Sequence, residues 1–441
     1  MTSQSKVAII GAGLAGAEAA WQLAKRGHAV DLYEMRPVRS TEAHKTGSCA
    51  ELVCSNSFKS RSTENAHGLL KAEIALFDSL ILQSAELHSV PAGQALAVDR
   101  DAFSNWITQR LEAQSKIQLL RQEVEDIEAF IAHYAYILIA TGPLTSIKLA
   151  NSLQALLGTE YLAFYDAIAP IITADSIDLS VAFLASRYDK GDKDYINCPM
   201  NHEQYDRFVD AIQNADKVEA HSFEHIRPFE GCLPIEVMVE RGKDTLRFGP
   251  MKPVGLKNPH TGEFCHAVVQ LRRENRIGSL YNMVGFQTKM TWPSQQSVFR
   301  MIPSLENAEF VRMGSMHRNT FINSPQLLNS HLQLKLNPKV FFAGQITGVE
   351  GYIESTSSGV YSAHQIANLL EGKDLFTLPA TTMMGALVRY ITQSNPSAFQ
   401  PINSNFGLLE PPSSKVGKKD KKLFLSNQAL SILKTFSHHL I

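Results

Sequence analysis

Val7-Ala8-Ile9-Ile10-Gly11-Ala12-Gly13-Leu14-Ala15-Gly16 is the stretch whose reading decides the fold. Val7 to Ile10 is an apolar run of the length expected for a buried parallel strand. The glycines follow at once, and Ala17 to Arg26 then reads as an Ala-rich helix. Gly11 permits a tight turn, Gly13 lets a pyrophosphate approach the backbone, and Gly16 lets the helix pack close to the strand. Gly27 ends the helix, and Ala29 to Tyr33 form a second strand that finishes at Glu34. That carboxylate follows Gly16 by 18 residues, where it can accept hydrogen bonds from adenosine ribose hydroxyls. A lone Gly-x-Gly-x-x-Gly is weak evidence. The strand before it, the helix after it and Glu34 make it a dinucleotide-binding turn, with Gly11, Ala12, Gly13, Leu14, Ala15, Gly16 and Glu34 as cofactor-binding candidates.

Working outward, two later segments read as further pieces of the same sheet. Tyr136 to Ala140 is an apolar strand ending in Thr141-Gly142-Pro143. Val340 to Ala343 is another, followed by Gly344-Gln345 and by Gly348-Val349-Glu350-Gly351-Tyr352. Ser357-Ser358-Gly359 then leads into a helix through about Leu370. A late strand–Gly–helix of this kind completes the flavin site of two-dinucleotide-fold flavoproteins, which adds Gly142, Gly344, Gln345, Gly351 and Tyr352 to the candidates and favours FAD over NAD as the resident cofactor. The fold class expected is α/β, a Rossmann-like FAD-binding domain of the two-dinucleotide-fold type with an inserted α+β domain. Residues 1–155 and 325–441 form the discontinuous FAD-binding domain, and 156–324 the insertion, on the RNA or substrate side.

Composition limits the alternatives. The 441 residues are 44% hydrophobic, enough core for two or three domains. Only Lys6 supplies positive charge ahead of the small apolar stretch 7–20, and three glycines interrupt it, so no export signal is expected. No segment reaches the ~18 uninterrupted apolar residues of a membrane span. Five cysteines form no disulfide framework, in keeping with a reducing cytoplasm, and the 15 histidines show no metal spacing. Net charge is −1, so a nucleic acid would have to meet a local basic patch. Candidates are Arg272-Arg273 with Arg276, and the run Lys415, Lys418, Lys419, Lys421 and Lys422, both more ordinary as solvated surface. The second follows Pro411-Pro412-Ser413-Ser414 in an exposed loop before a last helix from about Ser426 to Phe436.

Two cysteines stand in unusual surroundings: Cys54 in Ala50-Glu51-Leu52-Val53-Cys54-Ser55-Asn56-Ser57, and Cys232 in Phe229-Glu230-Gly231-Cys232-Leu233-Pro234-Ile235-Glu236. Thiols joined to an electron- or carbon-carrying cofactor imply covalent chemistry. Taken alone, either is more often a small buried apolar residue. Cys198 reads as structural and Cys265 has no evident role.

With these stretches, Leu32-Tyr33-Glu34-Met35-Arg36-Pro37, Ala97-Val98-Asp99-Arg100, Phe248-Gly249-Pro250-Met251-Lys252-Pro253 and Met316-His317-Arg318-Asn319-Thr320-Phe321 extend an ordered set of matches. On them the chain resembles, over essentially its whole length, the folate- and FAD-dependent tRNA (uracil-5-)-methyltransferases, often called TrmFO. The resemblance implies C5-methylation of uridine at position 54 of the tRNA T loop. The carbon donor would be 5,10-methylenetetrahydrofolate, the carrier and reductant reduced FAD, and the source of electrons NADH or NADPH. It further implies that Cys232 is the nucleophile adding to carbon 6 of uracil and Cys54 a second essential thiol that handles the proton. His225 or Arg227 would lower the Cys232 pKa if the fold brings either near. His317 with Arg318 and Asn319 contacts substrate or holds a loop. Tyr352 stacks on the flavin or a target base, or packs in the core. The implied partner is the tRNA T arm, with no membrane and no obligate protein partner.

The chain departs from the family pattern at Cys49, where no cysteine is expected. Cys49-x-x-x-x-Cys54 is also the spacing of FAD-dependent NAD(P)H dithiol/disulfide oxidoreductases, which supplies a second reading. The cysteine surround and dimerisation module of that group are missing. Two further readings are the same chemistry on a ribosomal-RNA uridine, and a non-catalytic FAD-loaded RNA chaperone, against which both family cysteines argue.

Overall fold

The computed structural model describes residues 6–41, 43–158, 162–189, 192–218, 233–412, 416–417 and 419–440. Its centre is a five-stranded parallel sheet in the order Val340–Phe342, Tyr136–Ile139, Val7–Ile10, Val30–Tyr33, Ile117–Leu120. Val7 lies opposite both Val30 and Tyr136, and Val340 opposite Ile137. The chain begins on the middle strand, runs to one edge, then returns to the other side of its starting strand. The switch point therefore falls between Val7–Ile10 and Tyr136–Ile139, where a doubly wound sheet opens a crevice beyond its carboxyl ends. Covering helices bury both faces of the sheet, which is why Val7–Ile10 is apolar and buried at every position.

Helix Leu14–Lys25 packs along helix Tyr352–Leu370. The two approach so closely that a Cβ on Gly359 would overlap the Ala15 backbone. The second helix is buried on nearly all sides, so apolar periodicity does not mark its start. It begins at Tyr352, and Ser357-Ser358-Gly359 lies inside it. The last helix likewise starts earlier than expected, at Lys421, and runs to Leu440.

A six-stranded antiparallel sheet has the order Phe183–Leu184, Tyr195–Met200, Ala267–Arg273, Leu280–Met283, Ile171–Thr173, Phe310–Arg312. Helix His202–Asn214 buries Tyr205, Phe208, Val209 and Ile212 on the core that lies against it. Leu162–Ile168 and Ser315–Phe321 pair antiparallel and carry the chain into and out of this part. A short three-stranded sheet, Ser57–Ser60 with Ala95–Val98 and Ser89–Val90, stands beside the parallel one.

The six-stranded sheet meets the short three-stranded sheet and the segments beside it along a polar seam. Asn56, fully buried, donates to Val98 O at 2.9 Å and Arg273 O at 3.1 Å, and accepts from Arg272 Nε at 3.1 Å. Arg100 pairs with Glu274. Arg272 is therefore no part of a solvated patch. It is only 7% exposed, because its strand is buried on both faces and its guanidinium meets Asn56 in the seam, while Arg276 stays at the surface and donates to Leu87 O. No described helix is long and apolar enough to cross a membrane.

Candidate active site

At the switch point Gly11 has φ +100°, and a Cβ there would stand 2.6 Å from Ala140 O. Gly13 is different. Its φ is −69°, and an added Cβ would meet no protein atom within 4 Å, because it points into open space. Gly13 caps the helix Leu14–Lys25, no side chain caps it, and its first turn holds no acidic residue. The first-turn amides are thus left for an anion.

Glu34 closes the turn. Its Oε2 accepts from Ala12 N at 3.1 Å, and its Oε1 from Arg36 N and Nε at 3.0 and 2.9 Å. Burial pushes its carboxyl up, but the hydrogen bonds and charge of Arg36 overcome that and leave it below the usual carboxylate range. Arg36 is held in turn by Glu51 at 2.9 Å. Glu34 is an anionic acceptor facing the crevice, and it also fixes the glycine turn.

Gly11, Gly13, Leu14, Ala15, Glu34, Gly142, Gly344, Gln345, Gly351, Tyr352 and Cys54 all line one cleft enclosing about 1340 Å³, part of it open to solvent. Ala12 and Gly16 are buried behind it. Ala12 serves through its amide, and Gly16 through close packing on Gly11. A Cβ-free approach at Gly13, uncapped helix amides and a carboxylate at the end of the second strand fit a dinucleotide such as FAD.

Cys54 is half-buried at this cleft, and its peptide is held on both sides. The Tyr352 hydroxyl accepts from Cys54 N at 2.9 Å and Ser55 N at 3.1 Å, while its ring packs on Phe58 at 5.6 Å. Burial and the Cys54 charge push the phenol pKa up, which keeps it neutral. Tyr352 thus both lines the cleft and positions a thiol. Arg100 donates to Leu52 O at 2.6 Å and Cys54 O at 3.1 Å, and Arg312 to Val53 O at 3.2 Å and Cys54 O at 2.9 Å. Sequence reasoning did not single out either arginine as functional. Arg100 stood within a matched stretch, whereas nothing in sequence marked Arg312.

Cys49 does not share the cleft. It is completely buried in the core against the first helix, its amide bonds Thr108 Oγ1 at 2.8 Å, and burial pushes its thiol up to about 11. Both Cys49 and Cys54 are free thiols. The dithiol reading needs an accessible pair beside the cofactor, and Cys49 is sealed away from solvent. Cys198 is also buried, pushed up to about 12 by its surroundings, and Cys265 is half-exposed. Cys232, with His225 and Arg227, lies outside the described residues. Asn319 lines the cleft, and the His317 and Arg318 side chains lie outside the described residues.

The family model for glucose inhibited division protein A matches residues 6–374. The methylenetetrahydrofolate--tRNA-(uracil-5-)-methyltransferase TrmFO of Natranaerobius thermophilus is 56% identical over 98% of this chain and 99% of its own length. This chain belongs to the TrmFO family. The TrmFO protein of Geobacter sulfurreducens is 55% identical over 97% of this chain and 98% of its own. Among solved structures, Aquifex aeolicus GidA superposes with a TM-score of 0.73 over 99% of this chain and 74% of that one, at 15% identity. At that identity the likeness speaks for the fold: a Rossmann-like parallel sheet with an inserted domain, as the glycine turn implied.

Proposed function

We propose that this TrmFO-family protein methylates carbon 5 of a uridine in tRNA, taking the carbon from 5,10-methylenetetrahydrofolate. The observation that carries the reading is a free thiol, Cys54, whose backbone is held between a tyrosine hydroxyl and two guanidiniums in the wall of a dinucleotide cleft. Its methyltransferase relatives match nearly the whole chain. FAD, held by the Gly13 turn, Glu34, Gly142, Gly344 and Gly351, supplies the one-carbon carrier and the reductant when bound. NADH or NADPH supplies its electrons, and the site of action is the cytoplasm.

Uracil carbon 5 is a poor nucleophile until a thiolate adds to carbon 6, and a base must then remove the carbon 5 proton. The proposal gives Cys232 the first task and Cys54 the second. A neutral, half-buried Tyr352 keeps the Cys54 peptide from moving, with its ring packed on Phe58. Residues 1–155 and 325–441 hold the cofactor in this reading, and 156–324 faces the RNA. The target is position 54 in the T arm, which has to be swung out of its stack at a cost of a few kcal/mol.

The test is mass spectrometry of tRNA and rRNA nucleosides after incubation with labelled methylenetetrahydrofolate, NAD(P)H and purified protein. Labelled 5-methyluridine in tRNA is the expected product. Label in rRNA with tRNA inert would move the substrate and keep the chemistry, and no labelled nucleoside at all would sink the proposal.

A further inference from the structure

Arg312 belongs to the antiparallel sheet, yet it reaches across the seam to the cleft loop. It sits where the pairing of Phe310–Arg312 with Ile171–Thr173 shifts register, an irregularity of the kind that re-aims a side chain. Its guanidinium is largely withdrawn from water. It donates to three backbone carbonyls, those of Val53, Cys54 and, at 3.4 Å, Ala169. No carboxylate stands within ion-pair distance among the described residues, and its buried Nε has no hydrogen-bond partner there. Arg100, on the other side of the same Cys54 oxygen, carries a second positive charge and takes Glu274 for itself. Burial and the Arg100 charge together push the Arg312 pKa down to about 10. A structural hydrogen bond to a carbonyl needs no cation, and two guanidiniums on one oxygen repel. The arrangement is costly to fold, and its two shortest bonds go to one turn of chain, that of Val53 and Cys54.

We infer that Arg312 is a positioning residue for Cys54: its two-pronged grip on Val53 O and Cys54 O sets where the thiol stands in the cleft. The inference rests on the proposal that Cys54 works in the reaction. It also ties the antiparallel sheet to the backbone that carries the thiol. A shift of the order of 1 Å in a reacting group costs about 10²-fold in rate. An ammonium cannot reproduce a planar fork that spans two carbonyls.

Arg312→Met and Arg312→Lys separate this role from a packing role. In Arg312→Met, kcat for tRNA methylation should fall about 10²-fold, while KM for tRNA stays within about twofold. FAD content and NAD(P)H-driven flavin reduction should match wild type. Arg312→Lys, which restores the charge but only one bond, should recover part of kcat. Unchanged kcat in Arg312→Met, or a loss that follows FAD content, overturns the inference. Should Arg312→Met not fold, wild-type kcat in Arg312→Lys overturns it equally. Cys54→Ala runs alongside: if that variant keeps activity, the reading of Cys54 itself fails, and not only the role of Arg312.

Discussion

Gly13 has an ordinary backbone conformation and an empty space where a side chain would go, so its substitution separates binding from folding. Gly13→Leu should fold, lose its yellow colour and fail to take up FAD, since the side chain fills the path to the helix amides. At FAD 100 times its Kd, wild type gains about 2.7 kcal/mol from the cofactor, and the variant should show none of that gain in a thermal melt. Gly11 and Gly16 offer no such test, because a Cβ at either strikes backbone. The cysteines divide in the same way. Cys49→Ala removes a buried, protonated sulfur, so it should cost on the order of 1 kcal/mol in stability and leave methyl transfer within about twofold. Cys54→Ala should abolish methyl transfer while flavin reduction continues. In native protein, iodoacetamide followed by peptide mass mapping should label Cys54 well before Cys49. A Cys49 as essential as Cys54 would return the dithiol chemistry to the front.

The helix Tyr352–Leu370 reaches the site through its first turn, where Tyr352 and Ser355 line the cleft. Tyr352 holds the Cys54 loop, and two residues on, Glu354 is buried with Oε1 accepting from Ser404 N at 2.9 Å and facing His67 Nδ1 at 3.0 Å. Burial pushes the Glu354 carboxyl up, but hydrogen bonds from His67 and Ser404 and the charge of Lys59 bring it down to about 2. A folded pKa below the unfolded value of about 4.3 means stability that is fully present above that value. It is lost as pH falls from there toward 2. Glu354→Gln should therefore melt below wild type at pH 7, with the gap closing between about pH 4.5 and 2. A gap that stays constant with pH would assign Glu354 a packing role only. The start of this helix was not legible in sequence: Gly351, Tyr352 and the serines read as a glycine-rich loop, and burial on all sides erased the amphipathic pattern.

Across the whole molecule, the six-stranded sheet is joined to the cofactor-cleft half through charged and amide groups beside the short three-stranded sheet. Removing one partner of the buried Arg100–Glu274 pair leaves an uncompensated charge, a cost of about 3–5 kcal/mol. With Arg272 committed to this seam, Arg272, Arg273 and Arg276 are not a common surface, and the C-terminal lysines become the better RNA candidate. Lys421 and Lys422 begin the last helix and Lys419 is exposed just before it, while Lys418 lies outside the described residues. Changing Lys418, Lys419, Lys421 and Lys422 together to Gln should raise KM for tRNA and leave flavin reduction alone. The slope of log affinity against log salt should fall by about 1 for each phosphate that is no longer neutralised. An unaltered KM and slope would return the run to plain solvated surface. The sequence by itself determined the nucleotide turn, its strands, Glu34 and the suspicion attached to Cys54, because each is a local pattern: an apolar run, a glycine spacing, a short motif. Only the tertiary structure decided that Cys49 is sealed in the core, that Arg272 faces inward, and that Arg100, Tyr352 and Arg312 converge on one peptide. Those are interactions between residues as far as 298 apart, made when distant segments of the chain fold together, and no local spacing encodes them.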